Sequence, residues 1–251
     1  MLESPLARRR AWRARLFLWL CAAALVGCRP APSPRPPAGG AASGERKGLA
    51  MERYLALGDS YTIGEGVAEK ERFPEQLCAV LRQRGRDVDA PRLIARTGWT
   101  TDELAAAITA DQPPGTFDFV TLLIGVNDQY RGRAPEAYRL LFRALLKQAV
   151  SFAGGDARRV MVISIPDWCA TPFAAGQGRS SEGALIDQFN AVNRAEALAV
   201  GAPYADVTEI SRRAARDRSL LAQDGLHPSG QMYALWVEVI LPLVPAPSPG
   251  E

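Results

Sequence analysis

Tyr54-Leu55-Ala56-Leu57-Gly58-Asp59-Ser60 and Phe119-Val120-Thr121-Leu122-Leu123-Ile124-Gly125-Val126-Asn127-Asp128 set the architecture of this chain. Each is a short apolar run with almost no polar alternation, and each ends in glycine followed by polar groups. A strand with one wet face alternates apolar and polar residues. A near-continuous apolar run is instead buried on both faces, as in a parallel sheet covered by helices. Working outward, Leu93-Ile94-Ala95 leads into Arg96-Thr97-Gly98, and Val160-Met161-Val162-Ile163-Ser164-Ile165 stops at Pro166. Tyr204-Ala205-Asp206-Val207 makes a weaker fifth strand.

The segments between these runs carry the helical period. Phe73 to Arg84 places Leu77, Val80 and Leu81 on one face, and Pro135 to Phe152 repeats Leu141, Leu145 and Ala149 at four-residue spacing. Thr101 to Thr109 starts from Thr100 or Thr101 as N-cap, with Asp102 and Glu103 where carboxylates meet the positive end of the helix. Ser181 to Val200 has a serine cap and ends at Gly201, and Ser229 to about Leu241 is stopped by Pro242. Strand-helix alternation of this kind implies right-handed crossovers. The expected fold is α/β, a three-layer α/β/α sandwich on a five-stranded parallel sheet, spanning residues 51–245.

The 251 residues are 47% hydrophobic and 23% charged, an ordinary globular composition that excludes a wholly disordered chain. The net charge of +3 hides a split. Through Lys47 there are nine Lys/Arg against Glu3 and Glu45 (+7), leaving 21 basic and 25 acidic residues afterwards (−4). The body is mildly acidic, which removes the electrostatic footing for a nucleic-acid binder. One histidine and four scattered cysteines exclude zinc fingers and multi-histidine metal sites, and nothing in the sequence calls for a metal or a cofactor.

The basic charge belongs to the N-terminus. Arg8, Arg9, Arg10, Arg13 and Arg15 precede an apolar run from Leu16 to Val26, about half the ~20 residues a membrane-spanning helix needs. Residues 1–27 thus have the form of an export signal. Leu25-Val26-Gly27-Cys28 resembles the lipobox of bacterial lipoproteins, which implies a lipid on Cys28 and a place on a membrane of the cell envelope, facing the periplasm or the cell surface. Ordinary cleavage near Ala22 to Gly27 is the alternative, and it leaves a soluble secreted protein. Residues 28–50 are dominated by Pro, Gly, Ala and Ser and fit a tether; residues 246–251 are expected to form a disordered tail.

In an open parallel sheet, ligands bind outside the carboxyl ends of the strands. Ser60, Gly98 and Asn127 each follow one of the first three strands, and the sole histidine, His227, stands in Asp224-Gly225-Leu226-His227-Pro228 just before the last helix. A hydroxyl, an imidazole and a carboxylate are the parts of a nucleophile, its base and the group that orients the base. Serine is a poor nucleophile at neutral pH, and imidazole is the side chain whose ordinary pKa suits it to take the proton. Singly, each residue has a structural reading: Ser60 as an N-cap, Gly58 and Gly98 as turn glycines, Asn127 as a turn-former.

Together, GDSY with Ser60, RTG with Gly98, GVND with Asn127 and DGLHP with Asp224 and His227 resemble the four blocks of the GDSL/SGNH hydrolases, in the family's order. Tyr61 departs from the leucine in the family's common name. The resemblance implies a flavodoxin-like SGNH fold and a serine ester hydrolase without metal or cofactor. It implies Ser60 as nucleophile, His227 as base and then acid, Asp224 as orienter, and an oxyanion hole from the Ser60 and Gly98 N–H groups and the Asn127 amide. The expected partner is a small or short-chain ester. Rival readings are a non-catalytic glycan-binding surface lipoprotein and a flavodoxin-like cofactor protein with Ser60-Tyr61-Thr62 as a phosphate loop. Trp168, Cys169 and Phe173 are candidates for a substrate pocket or for local packing, as are Tyr130 and Arg131. Asp59 and Asp128 suit loop-ordering acceptors better than acids. Cys78 and Cys169 are candidates for a disulfide in an oxidising periplasm, although their places on a helix and at a strand end suit one poorly, and the pairing stays open.

Overall fold

The computed structural model describes residues 51–247. The proposed leader, the lipidation site Cys28, the tether and most of the tail lie outside the described residues. Five strands form one sheet: β1 (Tyr54–Gly58), β2 (Arg92–Ala95), β3 (Phe119–Leu123), β4 (Val160–Ile163) and β5 (Tyr204–Ala205). Their order is β2-β1-β3-β4-β5, and every pairing is parallel. β1 and β3 are buried along their whole length, as their unbroken apolar runs require.

The helices are α1 (Ser60–Ile63), α2 (Phe73–Gln83), α3 (Thr101–Asp111), α4 (Val126–Tyr130), α5 (Pro135–Phe152), α6 (Pro172–Gly176), α7 (Gly183–Val200), α8 (Thr208–Arg212) and α9 (Gly230–Ile240). α2 packs on α9, and α5 packs on α3 and α7. The buried stripe of α5 is Tyr138, Phe142, Leu145, Leu146 and Ala149, so Leu141 sits at its margin rather than in it. No serine caps α7: a 3₁₀ turn over Ser180–Glu182 precedes it and Glu182 is the N-cap residue, whereas Gly201 ends the helix in the left-handed region as expected. Ser229 caps α9 by accepting from the Met232 amide.

β5 is shorter than its apolar run. Asp206 Oδ1 accepts from the Thr208 amide at 3.1 Å and the Val207 amide donates to Ser164 Oγ at 2.8 Å, so side chains take over from the ladder after Ala205. Cys78 and Cys169 are buried free thiols. No helix among the described residues is long and apolar enough to cross a membrane.

The feature that positions the site is the shared level of three strand ends. Gly58 aligns with Ala95 of β2 and with Leu123 of β3. The chain segments that leave these ends therefore start side by side. Gly58 itself admits no side chain, because a Cβ there would collide with Thr62 Oγ1 and lie 2.5 Å from the Leu123 carbonyl oxygen.

Candidate active site

Ser60 opens α1 immediately beyond β1. Asp59 is the N-cap, its Oδ1 accepting from the Tyr61 amide at 3.0 Å, and Gly64 closes the single turn in the left-handed region. The first amides of a helix have no intrahelical acceptor, so the Ser60 N–H is available to a ligand. Asp59 is fully buried. Burial pushes its carboxyl up to about 8, against the Tyr61 hydrogen bond and with help from the nearby charge of Asp128. Its Oδ2 has no hydrogen-bond partner.

His227 is held by a three-residue Asp224 loop. Asp224 Oδ2 lies 2.6 Å from His227 Nδ1, while Oδ1 accepts from the Leu226 amide at 2.9 Å and the His227 amide at 3.0 Å. Gly225 makes the turn with φ +68°. Partial burial pushes the Asp224 carboxyl upward, but the bonds from the His227 ring and the two amides outweigh it and hold the group below the usual carboxylate range. An ionised carboxylate only accepts, so Nδ1 carries the hydrogen and the neutral ring keeps its lone pair on Nε2.

The facing side of the site is built from the β2 and β3 ends. Gly98 has φ +84°, a conformation that favours glycine, and its carbonyl accepts from Arg131 Nη2 at 2.6 Å. Asn127 Nδ2 donates to the Trp99 carbonyl at 2.9 Å, which fixes the amide plane and leaves its second N–H free for a ligand. Asp128 Oδ2 accepts from both the amide and the hydroxyl of Thr101 at 2.9 Å, and Arg133 pairs with Oδ1 at 3.1 Å. Asp59 and Asp128 are thus loop-ordering acceptors.

Ser60, Gly98, Asn127 and His227 line one cavity of about 230 Å³. Its remaining wall is largely apolar, with Tyr61, Val126, Tyr130, Trp168, Phe173 and Leu226. Cys169 and Arg131 are not in this wall; Arg131 acts behind it, on Gly98. A brace from distant parts of the chain sets the aromatic side. Trp168 Nε1 donates to Gln129 Oε1 at 2.8 Å, and Gln129 Nε2 donates to Glu182 at 3.0 Å. Arg179 binds Glu182 at 2.6 Å and stacks 4.3 Å from the Tyr130 ring centroid and 4.8 Å from that of Trp168. No group of three or more His, Cys, Asp or Glu among the described residues is arranged to hold a metal ion.

Fold and site together define an open α/β/α sandwich with its polar groups gathered at the carboxyl ends of the strands. The chain belongs to the GDSL-like lipase/acylhydrolase family, whose profile matches residues 56–235. No curated protein matches it. Among solved structures it is similar to the lipase/acylhydrolase from Enterococcus faecalis, at 19% identity and TM-score 0.60, covering 80% of this chain and all of that one. It is also similar to the acetylxylan esterase Axe2 from Geobacillus stearothermophilus, at 18% identity and TM-score 0.58, covering 78% and 94% of the two chains. TesA matches at 20% identity and TM-score 0.57, covering 76% and 97%.

Proposed function

We propose that the protein hydrolyses short-chain carboxylic esters through an acyl-enzyme on Ser60. The observation that carries this reading is the convergence of Ser60, His227, Gly98 and Asn127 on one cavity while both oxygens of Asp224 are committed to the His227 loop. The Ser60 hydroxyl gives its proton to His227 Nε2 as Oγ bonds to the ester carbonyl carbon. The carbonyl oxygen, now negative, faces the N–H groups of Ser60 and Gly98 and the free N–H of Asn127. The imidazolium, stabilised by Asp224, returns the proton to the leaving alkoxide oxygen and the C–O bond breaks. Water then attacks the acyl-enzyme with His227 as base, and the acid leaves as Ser60 recovers its proton.

A cavity of about 230 Å³ supports small substrates, since drug-sized ligands occupy about 300–1,000 Å³. The aromatic wall and the likeness to an acetylxylan esterase make acetyl esters of sugars a natural part of the test panel. The experiment is a kcat/KM series on nitrophenyl acetate, butyrate and octanoate beside an acetylated glycan and a phospholipid, for wild type and Ser60→Ala. The expected result is hydrolysis of the short esters by wild type and its abolition in Ser60→Ala at unchanged melting temperature. Activity that persists in Ser60→Ala would overturn the assignment.

We also propose that Cys28 carries a lipid that holds the domain on a membrane of the cell envelope. The support is sequence alone: the apolar run into Gly27-Cys28 and the Pro/Gly/Ala-rich segment that follows.

A further inference from the structure

Tyr61 follows the proposed nucleophile and is only 3% exposed. Its ring centroid lies 5.6 Å from that of His227, at 60° between the planes, and 6.2 Å from that of Trp236. Its carbonyl oxygen accepts from the Tyr233 hydroxyl at 2.9 Å, so the residue is anchored at its backbone as well as its ring. Tyr61 lines the catalytic cavity and also a second, inner cavity of about 10 Å³, walled by Asp167, Thr171, Ser211 and Met232. Trp168 and Leu226 border both spaces as well. The tyrosine is thus part of the partition between the two. The inner space holds about one water as it stands.

We propose that Tyr61 is a specificity-determining residue, the partition that ends the acyl pocket and confines it to short acyl groups; this rests on the reading of Ser60 and His227 given above. An acyl chain bound to Ser60 has its carbonyl fixed by the oxyanion donors, and its far end runs along the apolar wall. Where that wall is a fixed aromatic ring, added methylenes have no volume to enter. Where the ring is shortened, the inner space joins the pocket and each buried methylene gains transfer free energy. A change of one methylene in such a pocket moves discrimination by about 10–200-fold.

The test compares wild type, Tyr61→Phe and Tyr61→Leu by the ratio of kcat/KM for octanoate over acetate nitrophenyl esters. Tyr61→Leu is expected to raise the ratio at least tenfold, and Tyr61→Phe, which keeps the ring, to leave it within about twofold. An unchanged ratio in Tyr61→Leu overturns the proposal, as does an equal rise in Tyr61→Phe. Should Tyr61→Leu fail to fold, Tyr61→Met takes its place, because its flexible chain yields to a longer acyl group. Calorimetric titration with butanoate and octanoate keeps this question apart from catalysis. Octanoate is expected to bind Tyr61→Leu at least tenfold tighter than wild type relative to butanoate; equal relative binding overturns the partition even if turnover is absent. Loss of all ester turnover in wild type would instead count against the hydrolase reading.

Discussion

His227 Nδ1 sits 2.6 Å from Asp224 Oδ2, and the same carboxylate receives the His227 main-chain N–H at 3.0 Å through its other oxygen. One acidic side chain therefore fixes the histidine at ring and backbone together, which a loop of three residues would not otherwise achieve. His227 as a residue is 8% exposed, and it lines the cavity from this anchored end.

His227→Ala is expected to lower kcat/KM by about 10⁴-fold or more, and Asp224→Asn by less, because Ser60 and the oxyanion donors remain aligned. Since Asp224 stays ionised below the usual carboxylate range, the acidic limb of kcat/KM belongs to protonation of the imidazole. The protein has one histidine, so its ring titration by NMR is assigned without mutagenesis. The two curves are expected to coincide where acylation limits the rate; separation by several pH units would remove His227 as the base.

The proposed oxyanion donors are tested by Asn127→Ala. A lost donor to the developing negative charge costs about 2.7–4 kcal/mol, so kcat is expected to fall by about 10²–10³ with little change in KM. Arg131→Leu acts one step back, through the Gly98 carbonyl, and is expected to cost less in kcat than Asn127→Ala. Its effect on melting temperature is expected to be small, since its ion pair with Glu103, at 3.3 Å, is exposed and such pairs are worth about 0–1 kcal/mol. An Asn127→Ala enzyme at wild-type kcat would exclude the amide from the site.

Asp59 predicts a distinctive stability profile. Its folded pKa, about 8, lies above the ordinary carboxylate value, so between about pH 4 and pH 8 the folded state binds more protons than the unfolded one. Its contribution is fully present below the unfolded pKa and is lost as pH rises through the folded value. Asp59→Asn keeps an oxygen for the Tyr61 amide and removes the titration. The variant is therefore expected to gain melting temperature relative to wild type as pH rises from 5 to 8.5, measured in parallel thermal scans. A constant difference across that range would contradict the buried, proton-holding carboxyl.

The anchor is tested in cells. Cys28→Ala is expected to lose metabolic labelling by fatty acid and to move to the aqueous phase in a detergent partition. Labelling that survives the substitution would refute the lipobox.

The sheet was legible because β1 and β3 are buried on both faces and so carry no alternation to confuse with an amphipathic helix. The site residues that follow strand ends were legible for the same reason, and His227 because no other imidazole competes. The one-turn helices α1, α4, α6 and α8 are four or five residues long, too short to show a 3.6-residue period. The brace of Gln129, Trp168, Arg179 and Glu182 joins residues as far as 53 positions apart, and no local pattern announces it. Tyr61 was visible as a departure from leucine, but its place between two cavities follows from the loops after β4 and before α9, which only the fold brings against it.

The most direct test of the account is covalent. Wild-type protein treated with a serine-directed organophosphonate is expected to lose activity as one equivalent is incorporated, with mass mapping placing the adduct on Ser60 and no adduct forming on Ser60→Ala. An adduct on any other serine, or stoichiometric labelling that leaves ester hydrolysis intact, would contradict it.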